Sequence, residues 1–590
     1  MPPPVQSLKR FRLVMIKPSH YDDQGYVIQW LRSPIPANSL ACLYGIAESV
    51  RDSGALGPGL DLELDAIDET NTRVRPERIA RDIAAAGAGM VMLAGVQSNQ
   101  FPRALELARQ FRSFGLAVGI GGFHVSGTLA MLPGIEANVQ TALDMGCTLF
   151  AGEAEEGRLG QVMADAIAGE LKPIYNFMDD LPALEGAPTP HLPNAVVSRT
   201  FGANTSFDAG RGCPFQCSFC TIINVQGRKS RRRTPDDIEK IIRENAAQGI
   251  VRYFITDDNF ARNKDWEAIF DRLIFLREEA GIPIRMIIQV DTLCHRLPNF
   301  IEKAKRAGVR RVFIGLENIS PDNLLAAKKR QNKITEYRKM LLAWKEAKVL
   351  TYCGYITGFP NDTPERILRD VNTVMRELPV DILEFFYLTP LPGSEDHKKL
   401  TEQGVAMDPD LNKYDLNHVC TGHALMTKAE WEKAYIGAWR TFYNRDHVKT
   451  VMRRAAATRN SVGKTLFLLG WFMGAIHIED LHPLECGLVR RKVRRDRRPG
   501  LPIEPALLFY PRYWYEVLAK HVRWLALFGQ FAVDYHLIKR DPKRLDYMDE
   551  ALSPVLEDEE DERAMFQTDE AKTFVARQRK MAEFRVSASV

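Results

Sequence analysis

The 590-residue sequence contains no uninterrupted apolar stretch of roughly 18 residues, the length a membrane-spanning helix needs, so none is expected. Its opening, MPPPVQSLKRF, has no apolar run behind the positive charges, which removes a secretory leader from the expectations. Net charge is nearly absent. With 79 Lys and Arg against 75 Asp and Glu, a balance of +4 gives no bulk attraction for nucleic acid, and none is expected as a partner. The nine cysteines are an odd number with a single tight group, which argues against a disulfide framework and for reduced thiols, a metal site and a cytoplasmic setting. What remains, 45% hydrophobic and 26% charged, is an ordinary globular composition with length for several cores.

The first 180 residues alternate short apolar runs with amphipathic segments, the pattern of a parallel sheet with crossover helices. Strands are expected at 11–17, 60–67, 90–94, 116–119 and 148–151, with helices at 38–52, 76–86, 102–114 and 135–145. In such doubly wound α/β sheets ligands sit beyond the carboxyl ends of the strands. Three loops fall there: GVQSNQ (Gly95 to Gln100), GGFHVSG (Gly121 to Gly127) and AGEAEEG (Ala151 to Gly157). Residues 181–204, rich in Pro and Asn, read as a linker. A second αβ series over 205–405 has six strand-like runs, at 205–209, 251–256, 285–290, 311–315, 350–356 and 382–388, which suggests a partial α/β barrel. Residues 406–545 read as mainly helical, and 546–590, with EDEEDE at 557–562, as a charged, flexible, solvated tail.

The strongest signal is RGCPFQCSFC, which puts Cys213, Cys217 and Cys220 in a CxxxCxxC array directly after an expected strand. A loop can wrap three thiolates around one 4Fe-4S cube and leave one iron without a protein ligand. The competing reading, a structural zinc site, wants a fourth Cys or His nearby with paired spacing, and none lies close. The array resembles the radical S-adenosylmethionine superfamily. The resemblance extends over about 200 residues through ITDDNF, with Asp257 and Asp258 where that family receives the methionyl amino group; IGLENIS, with Glu317 on the nucleoside or substrate side; GYITGFPNDT, with Gly354, Ile356 and Gly358 behind the adenine; and YLTPLPGS. The DDNF version leaves open which aspartate makes the contact. The resemblance implies that S-adenosylmethionine chelates the open iron and that reduction of the cluster cleaves it to a 5′-deoxyadenosyl radical. A species that reactive requires a positioned C–H bond and excluded solvent.

An α/β domain ahead of such a barrel resembles the cobalamin-binding domain of the class B methyltransferases. On that resemblance Gly95, Gln97, Ser98, Gly121, Gly122, His124, Ser126, Gly127, Gly152 and Glu153 are the expected contacts to a corrin. No DxHxxG segment is present, so a lower-axial histidine is not expected. GIGGFH lacks the third glycine of a dinucleotide fingerprint, and only Cys42 and Cys147 precede the array, which speaks against a methylthiotransferase. A domain that has lost its cofactor stays open.

Toward the carboxyl end, TLFLLGWFMGAI (465–476), RRKVRRDRR (490–498) and an aromatic run at 506–531 place apolar side chains beside cations; residues 441–500 hold 13 Lys and Arg against 5 Asp and Glu. A helix resting on a membrane surface at its inner face and an ordinary helical core with a solvated basic face both fit. The reading is a cobalamin-dependent radical S-adenosylmethionine enzyme that methylates an unactivated carbon of a small-molecule or lipid-like substrate and draws electrons from a flavodoxin- or ferredoxin-type donor. A cyclase or carbon–carbon coupling enzyme, and a non-catalytic iron–sulfur sensor, are the alternatives. Tyr352, Cys353, Tyr355, Phe386 and Tyr387 are candidate substrate contacts, or core.

Overall fold

The computed structural model describes residues 10–556 and 562–587. The amino-terminal sheet is wholly parallel and six-stranded: β1 (Arg10–Lys17), β2 (Asp61–Asp68), β3 (Gly89–Leu93), β4 (Ala117–Gly121), β5 (Thr148–Ala151) and β6 (Ile174–Asn176), in the spatial order β2-β1-β3-β4-β5-β6. The order reverses beside β1, which creates the crevice where doubly wound sheets take ligands. Its helices α1 (Asn38–Asp52), α2 (Pro76–Ala86), α3 (Phe101–Ser113), α4 (Phe123–Met131), α5 (Ala137–Asp144) and α6 (Arg158–Ala168) follow the apolar periodicity of the sequence. The short β6 escaped sequence reading, because IYN offers three residues and no alternation.

A second parallel sheet runs β7 (Asn204–Phe207), β8 (Arg252–Ile255), β9 (Arg285–Val290), β10 (Val309–Glu317), β11 (Leu350–Thr357) and β12 (Ile382–Tyr387), each strand beside its predecessor. This is the expected partial barrel. Its outward residues pack against α7 (Pro235–Ala247), α8 (Trp266–Glu278), α9 (Phe300–Ala307), α10 (Ile334–Glu346) and α11 (Pro364–Glu377). Alternate residues that face the lumen keep some exposure: Phe254, Ile287, Gln289, Phe313, Gly315, Tyr352 and Phe386, whereas Cys353, Tyr355 and Tyr387 are buried on the outer side. On the lumen side Tyr352 packs against Phe472 at 5.6 Å and Phe386 against His482 at 6.0 Å. Tyr352 and Phe386 line the lumen, and Tyr387 instead stacks on Tyr435 at 3.8 Å.

After α12 (Glu395–Glu402), helices α13 (Lys428–Phe442), α14 (Arg445–Ala457), α15 (Val462–Gly474) and α16 (Ala506–Arg540) cover the barrel's far side. The expected linker is not loose: Leu184, Leu192 and Val197 are buried. The basic run 490–498 is neither a solvated face nor free for lipid. Arg490–Arg491 pair antiparallel with Gln29–Trp30, and Arg490, Asp496 and Arg498 form ion pairs with Asp22, Arg73 and Asp410 at 3.0, 2.7 and 2.7 Å. Apolar residues of 465–476 such as Leu469, Phe472 and Ile476 are core. The tail, expected to be solvated, packs where it is described: Glu377 accepts backbone N–H groups of Ala564 and Met565 at 2.8 and 3.0 Å, and Met565, Phe566 and Ala571 are buried. Its charged composition hid a few apolar anchors. Of EDEEDE, all but Glu562 lies outside the described residues.

Candidate functional site

β7 ends at Phe207 and the chain turns through Asp208–Gly212 into the three-cysteine loop. Asp257, beyond β8, fastens that turn. Its Oδ1 accepts N–H groups of Ala209 and Gly210 at 2.6 and 2.8 Å, and its Oδ2 accepts from Asn263 at 3.1 Å. Asp258 accepts from Gly212 N–H at 2.9 Å through Oδ2 alone. Burial pushes both carboxyls up to about 7. Asp257 is thus committed to the backbone, and Asp258 keeps one oxygen for a ligand.

Cys217 is buried, while Cys213 and Cys220 are partly exposed. Burial pushes the Cys213 thiol up to about 11 and the Cys220 thiol up to about 12, with Cys217 adding to each and the Lys329 ammonium opposing. Lys329 reaches Glu317 Oε1 at 2.6 Å and lies 5.6 Å from the Phe219 ring, inside the cysteine loop. Burial would lower it, but Glu317 and Cys217 outweigh that and leave it raised. Gln331 donates to Cys217 Sγ at 3.4 Å. Among the described residues no three Cys, His, Asp or Glu close on a single ion. Three thiols on one loop, faced by a cation and an amide N–H, fit a thiolate-ligated iron–sulfur cluster, whose negative charge such donors stabilise. Lys329 and Gln331 were not singled out in the sequence; the polar run KKRQN, 12 residues past a motif strand, was the available signal.

Glu317 takes φ +64 at the end of β10, a left-handed conformation costly for a residue with a Cβ, and its carboxylate is held there by Lys329. Ile356 packs with Phe359 and Ala327 and with Phe219 of the cysteine loop, an apolar patch suited to a nucleobase. Gly354 is squeezed by Phe313, 3.0 Å from where a Cβ would stand, and Gly358 (φ +95) by Trp431 at 1.8 Å. Both glycines are required by the protein's own packing.

At the carboxyl ends of β3, β4 and β5 lies a cleft of about 160 Å³. Gly95, Gly121, Gly122, Ser126, Gly152 and Glu153 line it, together with Asn38, Ser39 and Cys42 of α1. Arg211, Val225 and Gln226, which flank the three cysteines, close it from the barrel side. Five of its lining residues, Gly95, Gly119, Gly121, Gly122 and Gly152, put no side chain into the space. Ser98, Gln97, His124 and Gly127 do not reach the cleft. Gln97 is exposed, and His124 turns into the core, where Nδ1 meets Ser98 Oγ at 3.1 Å and burial drives the imidazole down to about 3. Gly127 touches Gly393 of the barrel, 2.8 Å from a Cβ placed there.

Glu153, at the cleft, is also held by two arginines. Arg211 binds Glu153 at 2.6 Å, Glu155 at 2.6 Å and Asp208 at 3.1 Å, and Arg231 also binds Glu153 at 2.8 Å. Burial raises Asp208 and Glu155, but Arg211 outweighs it and holds both carboxylates low. Cys42 donates to Asp208 at 3.1 Å. This buried network joins the loop after β5 to the turn before the cysteines.

Residues 209–374, which span every element of this loop and most of the barrel, match the model of the radical SAM superfamily. The chain carries a radical S-adenosylmethionine domain. Such a domain implies a 4Fe-4S cluster and S-adenosylmethionine, for which the residues above fit. The chain is 26% identical over 336 residues to the bacteriochlorophyllide d C-8(2)-methyltransferase of Chlorobaculum tepidum, covering 54% of this chain and 69% of that protein. It is 26% identical over 309 residues to the hopanoid C-2 methylase of Rhodopseudomonas palustris, covering 50% and 55%. Among solved structures it shares its fold with the radical S-adenosylmethionine methyltransferase TsrM of Kitasatospora setae with cobalamin and a [4Fe-4S] cluster bound, at TM-score 0.55 and 16% identity over 75% of this chain and 90% of that one. The two-domain reading, a doubly wound domain before a radical S-adenosylmethionine barrel, is that fold.

Proposed function

We propose that the chain is a cobalamin-dependent radical S-adenosylmethionine methyltransferase acting on an unactivated carbon of a small-molecule or lipid-like substrate. One observation carries the reading: the cleft at the sheet's carboxyl end is walled by Arg211, Val225 and Gln226, so a corrin lying there is next to the cluster loop. The similarity to two methylating enzymes supports the reaction type. When bound, the cluster supplies the electron that cleaves S-adenosylmethionine, and cobalamin supplies the methyl group.

The chain's own residues do the rest. Cys213, Cys217 and Cys220 hold the cluster; Asp258, with its spare oxygen, receives the methionyl amino group; and Lys329 offers a cation to the carboxylate. Ile356 and Phe219 give the adenine an apolar face. Gly95, Gly121, Gly122, Ser126 and Gly152 carry the corrin, while Gln97, Ser98, His124, Gly127 and Glu153 support the loops around it. Gly354 and Gly358 shape the wall behind the adenine by letting Phe313 and Trp431 close in. Phe254, Ile287, Phe313, Tyr352 and Phe386 line an apolar lumen that excludes water from the reacting carbon. An external flavodoxin- or ferredoxin-type donor and contact with a membrane belong to the same reading. The test is anaerobic turnover of protein reconstituted with iron, sulfide and cobalamin. Both 5′-deoxyadenosine and S-adenosylhomocysteine are expected; deoxyadenosine alone would point to cyclisation or coupling, and no cleavage under strong reductant to a sensor.

A further inference from the structure

Helix α16 is 35 residues, about 52 Å long at 1.5 Å per residue, and only one of its sides meets the protein. Phe509, Trp524, Phe531, Asp534 and Ile538 turn inward and are buried. On the opposite side Leu507, Trp514, Leu518, Val522, Leu525 and Val533 recur at steps of three, four, seven and eight residues and form one stripe. They are 57–88% exposed. Nothing among the described residues covers them, and isolated exposed leucines are ordinary whereas a continuous stripe of this length is not.

The charges of the helix decide what the stripe fits. Both of its carboxylates are spent: Glu516 on Arg512 at 3.5 Å, and Asp534 on Lys449 and Arg445 at 3.2 and 3.5 Å. Arg523, Lys539 and Arg540 have no carboxylate within ion-pair distance among the described residues. The face is therefore apolar, carries aromatic Trp514 and Tyr515, and has the unpaired cations Lys539 and Arg540 at its carboxyl end, while Arg523 borders a pocket lined by Asp22, Asp23, Glu479 and Asp480. A second copy of the chain docked there would offer these cations no free carboxylate of its own α16, since Glu516 and Asp534 are already paired. The helix is not apolar enough to cross a bilayer.

We propose that this face of α16 docks on an anionic lipid surface, the helix lying in the plane of the interface with its stripe among the acyl chains and its cations among phosphate groups. The inference deepens the membrane contact that belongs to the reading above, and its failure would leave the proposed methyl transfer untouched. It is tested by flotation of the full-length, anaerobically purified protein with vesicles of phosphatidylcholine alone or mixed with phosphatidylglycerol. Binding to the anionic vesicles is expected, weakened by salt and reduced at least about tenfold in Leu518→Glu/Leu525→Glu, whose outward side chains leave the thermal midpoint unchanged. Should that variant misfold, Arg523→Ala/Lys539→Ala/Arg540→Ala is expected to lose the preference for anionic lipid. Absent binding, or binding that neither variant alters, overturns the proposal. So does a dimer in light scattering that the Leu518→Glu/Leu525→Glu variant splits without any vesicle binding, which would assign the stripe to a second copy.

Discussion

Lys329 is the single side chain on which most of the site's electrostatics converge, because it faces Glu317 on one side and the cysteine thiols on the other. Lys329→Met leaves Glu317 slightly exposed but unpaired, in a backbone conformation that its ion pair supports. A loss of about 3 kcal/mol is expected in denaturant titrations of the metal-free protein, the low end for a broken buried pair. Glu317→Gln in the same chain should restore part of it. Glu384 offers a second measurement. Burial pushes its carboxyl up to about 8, against the hydrogen bond from Tyr352 at 2.6 Å, so the folded state holds a proton that the unfolded chain has already released. Stability should therefore fall as pH rises from the ordinary glutamate range through about 8, at up to about 1.4 kcal/mol per pH unit. Glu384→Gln should make that slope shallower between pH 6 and 8, read from unfolding midpoints, and leave the share of Asp257 and Asp258. At this scale the sequence was legible where chemistry leaves a spacing, as in Cys213, Cys217 and Cys220. It was not legible for Lys329, whose partner Glu317 lies 12 residues away, or for Arg211, whose partners Glu153 and Glu155 lie 58 and 56 residues away.

Among elements, the joint between α4 and the loop after β12 is made by Gly127 against Gly393, backbone on backbone. Gly127→Val would force the amino-terminal domain off the barrel, since the obstruction is main chain rather than a movable side chain. The expected outcome is a protein that still assembles its cluster and cleaves S-adenosylmethionine, with methylated product reduced at least about tenfold because donor and acceptor no longer meet. Iron content and the ratio of S-adenosylhomocysteine to deoxyadenosine read this directly. Strand and helix positions in both sheets were visible from apolar periodicity, and Pro76–Ala86, Thr148–Ala151 and Arg285–Val290 coincide with the sequence expectation residue for residue. The use of RRKVRRDRR was not visible. A basic run looks alike whether it meets solvent, phosphate or the carboxylates of Asp22 and Asp410, and only the fold brings those acids to it.

For the whole molecule, the two halves are held by contacts between distant parts of the chain. Trp30 donates its indole N–H to the Cys486 carbonyl at 2.8 Å, and Tyr26 reaches Glu504 at 2.8 Å. A fragment of residues 1–200 should therefore be less stable than the same residues in the intact chain. Hydrogen exchange is expected to show the first sheet protected in the full-length protein and faster by at least about tenfold in the fragment. The antiparallel ribbon of Gln29–Trp30 with Arg490–Arg491 sets a timing constraint as well. A nascent chain must wait for some 460 further codons before the partner of its first ribbon strand leaves the ribosome, about 20 to 90 seconds at ordinary translation speeds. Through that interval the opening residues lack their ribbon partner, and any stall late in the message would release a polypeptide with its first tie still unmade.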